Sequence, residues 1–159
     1  MKFLILSDSH DRIEPMLEAV NRERPQGIVH LGDYWADGKE LGRLCPGIPL
    51  YQVAGNCDRY SWAPEQTDAM TVNLGGVLCF LTHGHRQGVK QGLYRLYCAA
   101  LEAGARVALF GHTHQSFCQE ENGIWLLNPG SCGSWHGTYG ILEISNGSVS
   151  CEIRPLLQE

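Results

Sequence analysis

The chain has 159 residues, of which 43% are hydrophobic and 18% are charged, and its formal net charge is −5. This balance is typical of a globular protein and excludes a disordered one, and the acidic charge disfavours a nucleic-acid-binding surface. The length predicts a single domain over residues 1–159.

No segment of the sequence predicts a membrane anchor or a signal peptide. The apolar run near the N-terminus is four residues long and stops before Asp8, which is too short for a signal-peptide core or a bilayer span. The seven cysteines are odd in number and form no CxxC pair, a pattern typical of reduced thiols inside cells. We therefore expect a cytoplasmic protein without a membrane partner.

Strand and helix patterns alternate in the first half of the chain. The predicted elements are a strand at 2–7, a helix at 12–23, a strand at 27–31, a short helix at 38–44 and a strand at 49–53. Polar residues follow each strand, namely Asp8, Asp33 and Asn56. This order predicts a parallel sheet with a functional site along the carboxyl ends of its strands.

The second half of the chain is rich in strand patterns and predicts largely antiparallel pairing. The predicted elements are strands at 69–74 and 77–82 around Gly75-Gly76, a helix at 89–103, a strand at 106–110, and hairpins within 116–127 and 139–153 that turn at Asn122-Gly123 and Asn146-Gly147. Gly104 is a suitable stop for the helix.

Five short motifs carry most of the histidines and several carboxylates. They are Asp8-Ser9-His10, Gly32-Asp33, Gly55-Asn56-Cys57-Asp58, His83-Gly84-His85 and Gly111-His112-Thr113-His114. Each motif alone is more often an ordinary turn after a strand. Together they offer about seven oxygen and imidazole ligands, the number that two divalent metal ions need when they share a bridging carboxylate. Metal pairs of this kind predict the hydrolysis of phosphate esters.

The series DSH, GD, GNCD, HGH and GHTH resembles the calcineurin-like metallophosphoesterases, and specifically their small bacterial and archaeal phosphodiesterase subgroup. The resemblance covers about residues 1–145, and Asn128-Pro129-Gly130-Ser131 also matches the subgroup. It implies an α/β (α+β) fold, a four-layer αββα sandwich in which two mixed β-sheets are flanked by helices.

The resemblance also implies which residues bind the metal ions. It assigns one metal to Asp8, His10, Asp33 and His114, and the other to Asp33, Asn56, His83 and His112. Ligands of nitrogen and oxygen without thiolate favour Mn²⁺, with Ni²⁺, Fe, Zn²⁺ or Co²⁺ as alternatives. A water activated by both metals would attack a small phosphodiester substrate, so no protein nucleophile is required.

Cys57 is the informative departure from the wider family, in which many members have a histidine after the asparagine. A thiol with an ordinary pKa of about 8.5 is a poorer proton donor than histidine near neutral pH. We therefore expect a preference for diesters over monoesters. The residues expected to take part in catalysis are Asp33, Asn56, Cys57, Asp58 and His85, with Asp58 holding a ligating imidazole.

Residues beside the motifs have less definite expectations. His30 lies in a buried strand pattern, and we expect a buried histidine with satisfied hydrogen bonds. The sequence leaves the roles of Arg59, Arg86 and His136 open, with solvated side chains as the ordinary expectation. Aromatic residues at positions 34, 35, 60 and 62 follow motifs in predicted loops, where they would wall a substrate cleft or form a contact between copies in a homo-oligomer.

Other functions compete with the phosphodiesterase prediction. A phosphomonoesterase for a small metabolite differs only in its substrate. A catalytically silent scaffold is the second alternative, because the family includes a retromer subunit, but such scaffolds tend to lose ligands and this chain keeps all seven. A nuclease is disfavoured by the acidic charge.

Overall fold

The first sheet is parallel at its centre, as the sequence predicts. The computed structural model describes residues 1–60 and 63–157, without the side chains of Arg59 and Tyr60. The parallel strands are β1 (Lys2–Leu6), β2 (Gly27–His30) and β3 (Leu50–Gln52). Two helices connect them, α1 (Glu14–Glu23) and α2 (Trp35–Leu44). Helical crossovers of this kind are what parallel neighbours require.

The second sheet has five strands in the order β4-β5-β6-β8-β7. Its strands are β4 (Ala69–Leu74), β5 (Val77–Thr82), β6 (Val107–Leu109), β7 (Phe117–Glu121) and β8 (Ile124–Asn128). The pairs β4–β5 and β7–β8 are antiparallel hairpins, but β6 runs parallel to both of its neighbours. The expectation of largely antiparallel pairing is therefore incomplete, because α3 (Tyr94–Glu102) carries the chain from β5 back to a parallel β6.

A C-terminal hairpin completes the first sheet. Its strands are β9 (Thr138–Ser145) and β10 (Ser148–Pro155), and β9 pairs antiparallel with β1. The resulting order is β10-β9-β1-β2-β3. Both sheets therefore mix parallel and antiparallel neighbours.

The helix predicted at residues 89–103 begins later, at Tyr94, and ends at Glu102. Gly88 and Gly92 explain the late start, because their φ angles of 61° and 150° lie outside the right-handed helical region. The preceding residues form turns instead.

Alternating side chains on the strands build the layers. In β1, Phe3 and Ile5 pack against the second sheet, whereas Leu4 and Leu6 pack against α1 and α2. A third cluster lies between α3 and the outer face of the second sheet and includes the fully buried Leu96. The order of layers is thus helices, sheet, sheet, helix, which confirms the predicted sandwich. Among the described helices, none combines the length and hydropathy needed to cross a bilayer.

Candidate metal centre

The five sequence motifs meet at one edge of the sandwich. Each lies where a strand has just ended, so the carboxyl ends of both sheets supply the side chains. The predicted ligands are Asp8 and His10 after β1, Asp33 after β2, Asn56 at the start of a 3₁₀ helix (Asn56–Tyr60) after β3, His83 after β5, and His112 and His114 after β6. The fold therefore places all seven predicted ligands on the same side of the molecule.

The first predicted ligand set forms a compact group. Each of Asp8, His10, Asp33 and His114 offers a ligand atom, and these atoms all lie within 4.8 Å of one another. The Nε2 atoms of His10 and His114 are 3.4 Å apart, and His114 Nε2 is 3.2 Å from Asp8 Oδ1. Two carboxylates and two imidazoles at this separation can surround a single divalent cation.

The Asp8 carboxylate has one satisfied oxygen and one that faces the site. Oδ2 accepts hydrogen bonds from the Ser7 hydroxyl at 2.6 Å and the His112 amide at 3.2 Å. Oδ1 is buried, and its neighbours are ring nitrogens, His114 Nε2 at 3.2 Å and His83 Nε2 at 3.9 Å. A buried carboxylate oxygen is costly without a partner, and either a protonated His114 or a bound cation can supply one here.

Charge around Asp8 favours its ionised form. Burial acts to raise the pKa of Asp8, but the neighbouring His114, His83 and Ser7 outweigh burial and lower the pKa below its ordinary value. Conversely, Asp8 raises the pKa of His114. Asp8 is therefore the carboxylate that metal ligation requires, whereas a proton competes with a metal for His114.

His83 shows most directly that the second set suits a cation. Its Nδ1 lies 2.7 Å from the carbonyl oxygen of Leu31, which can only accept, so Nδ1 carries the proton. In the neutral imidazole Nε2 then has only a lone pair, and it points at Asn56 Oδ1 (3.0 Å) and Asp33 Oδ1 (3.5 Å). These three atoms can each offer a lone pair to the same point, so a cation placed among them would be coordinated by all three.

His112 and His85 lie beside His83. The ring centroids of His83 and His112 are 5.0 Å apart, and His85 lies 5.5 Å from His83 and 6.1 Å from His112. Burial, with the charges of His83 and Lys90, lowers the pKa of His112 to about 4. His112 is therefore neutral near pH 7, the state that ligates a metal.

Asp58 binds the backbone of two site loops. It is buried, and its two oxygens accept the backbone amides of Trp35 and Gly55, each at 2.7 Å. The Leu31 carbonyl, rather than Asp58, sets the tautomer of His83. Asp58 thus joins the loop after β2 to the loop after β3.

Cys57 lies at the edge of the metal centre. Its side chain is exposed, and its amide donates to Asp33 Oδ1 at 2.9 Å. Partial desolvation of the thiol, together with the charge of Asp33, raises the pKa of Cys57 to about 11. The thiol is a weaker acid than the sequence alone predicts.

The arginine, histidine and aromatic residues whose roles the sequence left open lie in different environments. Arg86 pairs with Asp68 at 2.6 Å on the surface, and His136 is exposed. Tyr34 is 40% exposed and its ring lies 5.0 Å from that of His10, so it borders the site. Trp35 instead begins α2 and is buried, which corrects the expectation of a loop residue. The side chains of Arg59, Tyr60 and Trp62 lie outside the described residues.

Asn128 and Ser131, which lie outside the five motifs, support the ligand loops. Asn128 donates to the carbonyl of Gly111 and to the Thr113 hydroxyl, both at 3.0 Å. Ser131 donates to the backbone carbonyl of Asp8 at 2.8 Å. In the sequence, only the family resemblance at residues 128–131 pointed to this segment, and it did not predict which groups Asn128 and Ser131 contact.

The backbone of the ligand loops is unusual. Five of the predicted ligands have left-handed φ angles: 55° at Asp8, 46° at His10, 53° at Asp33, 70° at His112 and 58° at His114. Residues other than glycine adopt this region at an energetic cost, and such residues cluster at functional sites.

The whole site region matches known proteins. The family model described as the calcineurin-like phosphoesterase superfamily domain matches residues 1–147. A probable metallophosphoesterase of Bacillus subtilis is 35% identical over 134 residues, covering 82% of this chain and 75% of the relative. A phosphodiesterase of Methanocaldococcus jannaschii is 30% identical over 167 residues, covering 90% and 93%.

Solved structures share the fold. A predicted phosphoesterase from Streptococcus pneumoniae has a TM-score of 0.79 at 24% identity, covering 98% of this chain and 89% of that one. The Vps29 protein of Entamoeba histolytica, solved in complex with Zn²⁺, has a TM-score of 0.76 at 22% identity, covering 99% and 100%. The matches to the family model and to the Bacillus and Methanocaldococcus relatives go beyond the fold, and the chain belongs to the calcineurin-like phosphoesterase superfamily, a family of metal-dependent phosphoester hydrolases.

Proposed function

We propose that the chain is a binuclear metal-dependent phosphodiesterase. The single observation that carries the proposal is that His83 Nε2 meets Asn56 Oδ1 and Asp33 Oδ1 at 3.0 and 3.5 Å, while the Leu31 carbonyl holds Nδ1 and leaves Nε2 as the ring nitrogen that can bind a metal. The proposed ligands are Asp8, His10, Asp33 and His114 for one metal, and Asp33, Asn56, His83 and His112 for the other.

Asp33 is the carboxylate proposed to serve both metals. One of its oxygens belongs to the compact first group, and Oδ1 lies 3.5 Å from His83 Nε2 in the second. The Cys57 amide fixes this oxygen from behind with a hydrogen bond of 2.9 Å. A bound metal pair supplies an activated water and stabilises charge on the phosphoryl oxygens.

The side chains around the metals hold the remaining roles. His85 is half-buried and next to both His83 and His112, where its ring can meet a phosphoryl oxygen. Asp58 holds the loops that carry Asp33 and Asn56. Neither role requires a covalent intermediate on the protein.

Cys57 supports diesters as the substrates. Hydrolysis of a monoester with a poor leaving group benefits from a general acid beside the leaving oxygen. The thiol at that place has a pKa of about 11, so it is a poor acid at neutral pH. A diester with a more acidic alcohol as leaving group needs less protonation. The phosphodiesterase name of the Methanocaldococcus relative agrees with this preference.

The metal that we propose is Mn²⁺. Imidazole, carboxylate and amide oxygen form the proposed ligand set without a thiolate, which suits Mn²⁺ and leaves Ni²⁺, Fe, Zn²⁺ and Co²⁺ as competitors. The partner expected at the site is a small phosphodiester rather than a nucleic acid, because the net charge is −5.

The test is hydrolysis of bis(para-nitrophenyl) phosphate by chelator-stripped protein with and without Mn²⁺. We expect turnover only with metal, loss of turnover in His83→Ala, and retention in His136→Ala, whose histidine is exposed. The ratio of diester to para-nitrophenyl phosphate hydrolysis separates a phosphodiesterase from a monoesterase. A folded protein that binds Mn²⁺ but hydrolyses neither ester would refute the enzyme and favour the scaffold.

A further inference from the structure

Three buried polar side chains outside the proposed ligand set are joined by hydrogen bonds. Ser9 Oγ lies 3.0 Å from His30 Nε2 and donates to Asp37 Oδ2 at 2.7 Å. Ser9 and His30 are fully buried, and Asp37 is 4% exposed. Asp37 Oδ2 also accepts the Asp11 amide at 2.8 Å. Buried polar groups persist when such bonds satisfy them.

The direction of the hydrogen bonds is fixed by the groups at both ends. The Gly32 amide can only donate, and it meets His30 Nδ1 at 3.4 Å. His30 Nε2 therefore carries the proton and donates to Ser9 Oγ, whose own proton goes to the Asp37 carboxylate. One hydroxyl thus both accepts and donates, so its removal breaks the connection on both sides.

This chain of bonds joins the two loops that carry the first ligands. Ser9 lies between Asp8 and His10, and Gly32 precedes Asp33. Asp37 lies on α2, in the helix that follows the second loop. The two loops are therefore connected through side chains as well as through the strand pairing of β1 with β2.

The loops need such support because their backbone is strained. Asp8, His10, Asp11 and Asp33 have left-handed φ angles of 55°, 46°, 65° and 53°. Residues in this region persist only where surrounding contacts hold them. Ser9 sits in the middle of the first three, so the bonds of its hydroxyl act at the centre of the strained loop.

We propose that Ser9, His30 and Asp37 are positioning residues for the metal centre, which hold Asp8, His10 and Asp33 in the geometry that binds cations. The inference rests on the proposed function, because it requires that these residues are metal ligands. Partners that orient ligands from behind typically change metal affinity by about 10–100-fold when they are removed.

If Ser9 and Asp37 served only the stability of the fold, their removal would lower the Tm without changing Mn²⁺ affinity. Tyr139 supplies a matched control for this alternative. Its hydroxyl donates to Glu23 Oε1 at 2.7 Å, and both side chains are buried. Tyr139→Phe and Ser9→Ala therefore each remove a buried hydrogen bond of 2.7 Å from a hydroxyl to a carboxylate. Tyr139, however, lies in a part of the molecule that carries no proposed metal ligand.

The experiment measures the Mn²⁺ dissociation constant by competition with a fluorescent chelator, and the Tm of each chelator-stripped protein. We expect Ser9→Ala and Asp37→Ala to weaken Mn²⁺ binding about 10-fold or more. Asp37→Asn, whose amide oxygen can still accept from Ser9, should recover most of that loss. Tyr139→Phe should lower the Tm and leave the Mn²⁺ affinity unchanged.

Two results would overturn the proposal, and they differ. If the wild-type chain binds Mn²⁺ and both alanine variants bind it equally well, the positioning role is wrong while the metal centre stands. If the wild-type chain binds neither Mn²⁺ nor another divalent ion, the metal centre fails and the positioning role fails with it. Should Ser9→Ala not fold, Asp37→Ala and its Asn counterpart decide the question.

Discussion

Replacing Gly55 with alanine would place a methyl group against Asp33, at a φ angle that alanine can adopt. The new Cβ would overlap Asp33 Oδ1 and the Asp33 amide nitrogen, and it would lie 2.9 Å from the Asp33 carboxyl carbon. Non-bonded carbon atoms prefer about 3.5–4.0 Å, so the carboxyl carbon must move by at least about 0.6 Å. Metal–ligand distances tolerate only about 0.2 Å.

The expected effect of Gly55→Ala is a large loss at the metal centre. A misplacement of about 1 Å near the chemistry can cost about 100-fold in rate, equivalent to about 2.7 kcal/mol. We therefore expect Mn²⁺ affinity and the kcat/KM for bis(para-nitrophenyl) phosphate to fall by about 10–100-fold. Gly47→Ala is the control, because a Cβ there meets no atom within 4 Å.

Both variants should be compared by Mn²⁺ titration, diester hydrolysis and thermal unfolding of the stripped protein. If Gly55→Ala binds Mn²⁺ and turns over as well as Gly47→Ala does, then the position of Asp33 does not control the site. A fall in Tm without a change in Mn²⁺ affinity would contradict the same reasoning, since it would show that Gly55 serves the fold alone.

Three further predictions address individual groups. Asn56→Ala or His112→Ala should remove one metal per chain, measured by metal analysis, and most of the diesterase activity, while circular dichroism stays unchanged; two retained metals would refute the ligand assignment. Cys57→His should raise para-nitrophenyl phosphate hydrolysis, and a flat rate would show that the missing acid does not explain the selectivity. Because Asp8 raises the pKa of His114 above its ordinary 6.5, Mn²⁺ affinity should fall about tenfold per pH unit on acidification below that pKa, and titrations that show no such pH dependence would contradict His114 as a ligand.

The fold was largely readable from the sequence because local patterns determine it. The strand of residues 77–82 and its Gly75-Gly76 turn were predicted with the observed bounds, since alternating burial and turn residues act over short distances. The parallel pairing of β6 was not predicted, because it depends on where α3 returns the chain in space. Helix ends were shifted where glycines interrupted the apolar period, as before Tyr94.

For the candidate site, the sequence predicted the ligands but not the residues that support them. A metal ligand at the end of a strand can be predicted from its residue type, as His83 and Asp33 were. Residues that act through one hydrogen bond cannot. Asp37 lies on a helix with no motif, and only the folded structure brings it to Ser9 across the end of the sheet. The contacts of Asp58 with the amides of Trp35 and Gly55 were likewise not predicted, because a backbone amide carries no signal in the sequence.

The central position of β1 in its sheet affects how the protein folds during synthesis. β1 lies between β2 and β9, and its register with β9 pairs Lys2 with Glu143. β1 thus waits for β9, which is made much later, and contacts across such separations slow folding. During synthesis Asp8 stays beside an open strand edge until β9 leaves the ribosome. The proposed metal centre should therefore reach its final geometry only after β9 has been made and has paired with β1.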